Sequence, residues 1–127
     1  GSPPMNTFDC TLITEGSRTF LDTSEFQLEI DFGLAKAIKE KGSSNEFILG
    51  ARPEDLTVAK SEGGIPAEIY VVEPIGESTI VDLKIGRYLT KARARAEFKG
   101  DIGEKVAVTI NREKIHVFDR KTERLLV

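Results

Sequence analysis

Short runs in which apolar and polar residues alternate recur along this chain. A period of two restricts such runs to half-buried strands. Phe8, Cys10 and Leu12 alternate with Asp9, Thr11 and Ile13, and Phe26, Leu28 and Ile30 with Gln27, Glu29 and Asp31. Glu46–Ala51 reads as a third strand that must end or bulge at Pro53, which has no N–H to give a ladder. Ala67–Glu73, Thr79–Ile85, Arg87–Phe98 and Lys105–Ile110 continue the pattern, separated by Pro74-Ile75-Gly76-Glu77, Gly86 and Lys99-Gly100-Asp101. Asn111-Arg112-Glu113 reads as a hairpin turn into Lys114–Phe118, and Glu123–Leu126 as a short last strand. Gly42–Asn45 and Lys60–Gly64 are the most linker-like stretches.

One helix is expected, from Phe32 to Lys41. Asp31 is placed to cap it, Leu34 and Ile38 form an i, i+4 apolar pair, and Gly42 suits its end. Many short strands with glycine and proline turns, plus one helix, imply an all-β fold built as a small closed or partly open antiparallel barrel.

The chain has 127 residues, enough for one compact domain or two very small lobes. Its 18 basic and 21 acidic residues leave a charge of −3, which disfavours a dedicated nucleic-acid binder. Cys10 is the only cysteine, so an internal disulfide is impossible and a reducing compartment is expected. No apolar run approaches the ~18–20 residues that span a bilayer. The GSPPMNTF start lacks the basic and apolar segments of a signal peptide.

Signals for chemistry are sparse. No glycine is followed by lysine, so a Gly-Lys-Ser/Thr phosphate loop cannot form and no ATP site of that type is expected. One cysteine and one histidine cannot make a cysteine/histidine zinc site. No G-x-S-x-G elbow is present to supply a nucleophile to His116. On a strand, His116 points away from Ile115 and Val117, onto a polar or interface face. Glu73 and Glu77 flank a turn, and two close carboxylates suggest acid/base work. With no tryptophan and only Tyr70 and Tyr88 to serve as a sugar platform, a solvated hairpin corner is the better reading. Lys91, Arg93 and Arg95 form a basic row able to track phosphates, but Tyr88 is the only nearby residue for base stacking. A solvated or partner-contacting face fits that row better.

Four motifs in order carry a resemblance to a family. Gly1-Ser2-Pro3-Pro4-Met5-Asn6 resembles the "GSPxMN" start of the C-terminal region of ATP-binding subunits of sugar-type ABC importers. Gly50-Ala51-Arg52-Pro53-Glu54-Asp55 is similar to that family's "GxRPE(D/H)" segment, and Val72-Glu73-Pro74-Ile75-Gly76-Glu77 to its "VEPLGSE" turn. Ile115-His116-Val117-Phe118-Asp119, with Thr122, Arg124 and Leu125, is similar to its "xHLFDxxTGxRL" ending. Glu123 stands where that ending has glycine, which puts the tight turn in question.

The resemblance implies a TOBE (OB-like) fold over residues 1–127, arranged as one domain or two small β lobes. It implies a regulatory and dimerisation domain of the maltose or glycerol-phosphate importer type, with no catalysis and no cofactor of its own. ATP and Mg would belong to an N-terminal ATPase domain outside this sequence. Implied partners are a second copy, membrane permease subunits reached through the ATPase domain, and a regulatory protein or small effector; no nucleic acid is expected. The location implied is cytoplasmic, at the inner face of the membrane. Candidate contact residues are Arg52, Glu54, Glu73, Glu77, His116 and Phe118. An oxyanion-binding barrel of the molybdate type is the alternative, with Lys91, Arg93 and backbone amides near Gly76 or Gly100 as anion donors. A nucleic-acid-binding OB barrel is the third reading.

Overall fold

A computed structural model describes residues 4–127, so Gly1, Ser2 and Pro3 of the first motif lie outside the described residues. The fold is all-β with one helix, as the alternation predicts. In chain order the elements are β1 (Asn6–Glu15), β2 (Arg18–Asp22), β3 (Gln27–Ile30), α1 (Phe32–Lys41) and β4 (Glu46–Ala51), then β5 (Leu56–Ala59), β6 (Ile65–Pro74), β7 (Ser78–Ile85), β8 (Tyr88–Arg95), β9 (Lys105–Ile110) and β10 (His116–Asp119). Single 3-10 turns occupy Pro53–Asp55 and Arg112–Lys114. The chain divides into two compact units, one formed by the residues up to Asn6 with Ala51–Lys114, the other by Thr7–Gly50 with Ile115–Val127.

The Thr7–Gly50 unit is built on a five-stranded sheet of order β10-β4-β1-β2-β3. β1 and β2 form a two-residue hairpin in which Gly16 takes φ +62°, a conformation that costs glycine little. Phe8, Leu21, Phe47, Leu49 and Val117 are fully or nearly fully buried, and Phe8 meets Phe26 edge to face with centroids 5.2 Å apart. α1 begins where Asp31 accepts the Leu34 N–H at 2.7 Å, and it buries Ala35 and Ile38.

The Ala51–Lys114 unit carries the sheet β5-β9-β6-β7-β8. Its outer strands β5 and β8 approach one another, so the sheet curls toward closure. Ile69, Val81, Leu83 and Val108 fill its core. A bulge between Ile69 and Val71 shifts the register against β7 and leaves Tyr70 and Val71 exposed.

Three expectations need correction. Asn111–Glu113 is not a hairpin turn: β9 pairs with β5 and β6 in one unit, while β10 pairs with β4 in the other. The period of a strand says nothing about its partner, and here the chain changes units between Lys114 and Ile115. Glu123–Leu126 is not a strand but makes a single bridge from Leu125 to Phe118. The strand expected over Arg87–Phe98 ends at Arg95, where the alternation of buried and exposed residues stops. β2 and β5 are additional strands.

Candidate contact surfaces

The four motifs explain much of the local architecture. In the first, Asn6 is 9% exposed, and its carboxamide stands in for a neighbouring strand against β8. Its Oδ1 accepts the Lys91 N–H at 2.8 Å, while its Nδ2 donates to the carbonyls of Lys91 at 2.9 Å and Ala51 at 3.1 Å. In the second, Pro53 opens the 3-10 turn and is buried, where its missing N–H leaves no donor unpaired. The Asp55 N–H closes that turn on the Arg52 carbonyl, and the Asp55 carbonyl accepts the Asn111 N–H. Arg52 and Glu54 are thereby turned outward and exposed. Glu54 lines a groove of about 320 Å³ between β5 and β8, together with Arg93, Arg95 and Phe98.

The third motif is the tip of the β6–β7 hairpin. Gly76 takes φ +95°, the Ile75 N–H reaches the Ser78 carbonyl, and Glu73, Ile75 and Glu77 are all exposed. The tip is an acidic corner around one exposed apolar side chain.

The fourth motif is a carboxylate-centred turn. Asp119 is 2% exposed and accepts N–H groups from Ser43 at 2.6 Å, Lys121 at 2.8 Å and Thr122 at 3.1 Å. The bond from the Ser43 N–H, then the Ser43 side chain, then the Thr122 and Lys121 N–H groups hold its carboxyl down from the usual 3.8 to about 2, against the opposing effect of burial. Beside it, Arg120 donates to the Cys10 carbonyl at 2.7 Å and the Phe47 carbonyl at 3.3 Å. Cys10 itself is buried, which pushes its thiol up to about 12, so it is a core residue and not a reactive thiol.

The turn survives the replacement of glycine: Glu123 takes φ +62° and its N–H bonds to the Asp119 carbonyl at 2.8 Å. A left-handed non-glycine residue is strained by roughly 1–2 kcal/mol. Glu123→Gly relieves that strain but frees the unfolded chain. The net expected gain is about 0.5–1 kcal/mol, read as a higher denaturant midpoint at unchanged slope.

The candidate contact residues fall on three separate elements: Arg52 and Glu54 at the 3-10 turn, Glu73 and Glu77 at the hairpin tip, and His116 and Phe118 on β10. The last two are half-buried, opposite Gly50 and Ile48 of β4. The basic row is partly neutralised. Lys91 Nζ lies 2.8 and 2.9 Å from the two Asp82 oxygens, and Arg93 donates to Ser78 Oγ at 3.1 Å, which leaves Arg95 outward. Among the described residues, no cluster of three or more His, Cys, Asp or Glu is arranged to hold a metal ion. No helix among them is long and apolar enough to cross a membrane.

This architecture defines an OB-like β domain of the TOBE class. The TOBE domain family model matches residues 49–118 and the MalK OB fold domain model residues 1–56, so the chain belongs to the TOBE family. Among curated proteins it is 33% identical to the trehalose/maltose import ATP-binding protein MalK of Thermococcus litoralis, over 99% of this chain and 35% of that protein. It is 35% identical to the multiple sugar-binding transport ATP-binding protein MsmK of Streptococcus mutans, over 97% of this chain and 34% of the relative. The chain thus spans about a third of the length of these relatives. A solved structure of the cytoplasmic molybdate-binding protein ModG, with molybdate bound, shares the fold with a TM-score of 0.65 at 10% identity, covering 88% of this chain and 94% of that one.

Proposed function

We propose that this chain is the regulatory and dimerisation domain of the ATP-binding subunit of an ABC importer for sugars or related solutes, and that it performs no chemistry itself. The observation that carries this reading is coverage. The two family models run in order along the chain, and sugar-importer ATP-binding proteins align with nearly all of it using only a third of their own length. The remaining two thirds of such a subunit would bind ATP and Mg and meet the permease at the cytoplasmic face of the membrane. In this role the domain holds two subunits together while their ATPase domains open and close, which requires a stable scaffold and one self-complementary patch. Arg52, Glu54, Glu73, Glu77, His116 and Phe118 are the proposed contacts. Charge reversal at the four charged positions and alanine at His116 and Phe118, made in the intact subunit, weaken dimer retention or relieve inhibition of ATP hydrolysis. Unchanged dimer mass and ATPase control across the set rule these contacts out.

The fold shared with ModG supports oxyanion binding as a second, weaker reading. Against it, Lys91 is engaged by Asp82 and Arg93 by Ser78, so two of the proposed anion donors already have partners. Calorimetry of the 127-residue chain with molybdate and sulfate is expected to give only heats of dilution; saturable binding near equimolar ratio would favour the second reading.

A further inference from the structure

The most telling unassigned feature lies in the Thr7–Gly50 unit, between α1 and the end of the β1–β2 hairpin. A groove of about 540 Å³ opens there, lined by Thr14, Thr19, Phe32, Ala35, Lys36 and Lys39 among others. Thr14 and Thr19 are directly opposite in the β1–β2 register, so their side chains share one face and form one wall. The other wall is a helical stripe. Phe32, Lys36 and Lys39 follow one another at i, i+4 and i+7, beside the face that buries Ala35 and Ile38.

Two properties separate this groove from the others. Phe32 is 79% exposed, the most exposed large apolar side chain among the described residues. A projecting aromatic ring above a concave floor has the form of an interface anchor. The charge at the site is also uncompensated. Lys60 and Lys105, which line grooves in the other unit, pair with Glu104 and Glu68, whereas Lys36 and Lys39 enter none of the ion pairs among the described residues. No carboxylate lines the groove. Of the nearby acids, Asp31 is committed to the α1 cap and Glu29 to Arg18, and Glu40, four residues after Lys36 on the same helix, makes no ion pair with it among the described residues.

We propose that this groove docks an acidic segment of a partner protein, which seats one apolar side chain against Phe32 and Ala35 and sets carboxylates on Lys36 and Lys39. Charge complementarity fixes the sign of the occupant, and the apolar floor between hydroxyl and ammonium walls favours a peptide over a bare anion. A membrane surface fits less well. α1 has ten residues and turns its buried face inward, so it offers one exposed ring where interfacial helices bury a whole apolar face. The inference rests on reading the chain as a contact domain, but it concerns one unit only and is tested without the rest of a transporter.

The test is a titration of the isotopically labelled 127-residue chain, followed by amide chemical shifts. The probes are a twelve-residue peptide of alternating glutamate and aspartate with one central leucine, its lysine counterpart, and vesicles of phosphatidylglycerol and phosphatidylcholine. The acidic peptide is expected to give saturable shifts centred on Gly16, Ser17, Phe32, Lys36 and Lys39, and the lysine peptide none. Phe32→Ala and the double variant K36E/K39E should each weaken binding tenfold or more with the remaining spectrum unchanged, since all three side chains are exposed. Absent or non-saturable shifts, shifts centred elsewhere, equal binding by the variants, or a response to anionic vesicles but not to the peptide would overturn the proposal. Shifts that appear on concentration alone would assign the groove to a second copy and overturn it equally. Such a failure leaves the proposed role in an ATP-binding subunit untouched, because that role is read from dimer mass and ATPase control.

Discussion

Replacing Asp119 by alanine lowers the midpoint of thermal unfolding by roughly 5–15 °C, because three backbone N–H groups lose their acceptor at once. Asparagine is expected to do little better. One Asp119 oxygen serves Ser43 and the other serves Lys121 and Thr122, so an amide must present its NH₂ to at least one of these donors. The two variants also differ from the parent in their response to acid. The folded carboxyl titrates near 2 against an ordinary 3.8, so the protonated form is disfavoured in the folded state. Its contribution is complete above the unfolded value and is lost as pH falls through the folded one. The parent therefore loses stability between about pH 4 and pH 2, and the Asp119 variants lose less over that window. Denaturant midpoints measured at several pH values check both statements; parallel pH profiles for parent and variants would refute the assignment.

The second large effect is expected at Asn6. Its carboxamide satisfies the Lys91 N–H and the carbonyls of Lys91 and Ala51 with little access to water. Asn6→Ala leaves those backbone groups unpaired, a loss of roughly 2–4 kcal/mol. Asn6→Asp is at least as damaging, because a carboxylate cannot donate to either carbonyl. Chemical denaturation measures the loss, and faster hydrogen exchange at Lys91 locates it. A change below ~0.5 kcal/mol would mean that β8 does not depend on this side chain.

Both residues show where local sequence reading reaches and where it stops. α1, β4 and β9 form over the same residues the sequence predicts, because their signals are local: a capping aspartate and closing glycine, a proline after a strand, an apolar run that follows Gly103 and ends at Asn111. β2 is not announced in the same way: Phe20 and Leu21 are adjacent and both buried, so Arg18–Asp22 carries no alternation, and only its two-residue hairpin with β1 reveals it as a strand. β10 was legible as a strand but not in its pairing, because its partner β4 lies far back in the chain. The same limit governs the motifs. Asn6 and Asp119 are recognisable letters of family segments, but their roles require partners 85 and 76 positions away. The outward placement of Arg52, Glu54, Glu73 and Glu77 follows from turn chemistry and could be read. The engagement of Lys91 by Asp82 depends on strand register and could not. The groove beside α1 is not legible in the sequence, because the Leu34–Ile38 pair points to a buried face that the fold builds from Ala35 and Ile38, while Phe32 reads as one more apolar residue of the same helix.

Energy conversion is expected to reside outside this polypeptide and subunit contact within it. The direct measurement is to express the complete reading frame that encodes the chain, alongside the same protein with residues 1–127 removed and the 127-residue chain alone. ATP hydrolysis and molar mass by light scattering are then compared for the three. Hydrolysis is expected in the complete protein and in the shortened one but not in the isolated chain, with a loss of dimer mass or of regulated hydrolysis when the chain is removed. Hydrolysis by the isolated chain, or unchanged mass and control after its removal, would contradict this division of roles.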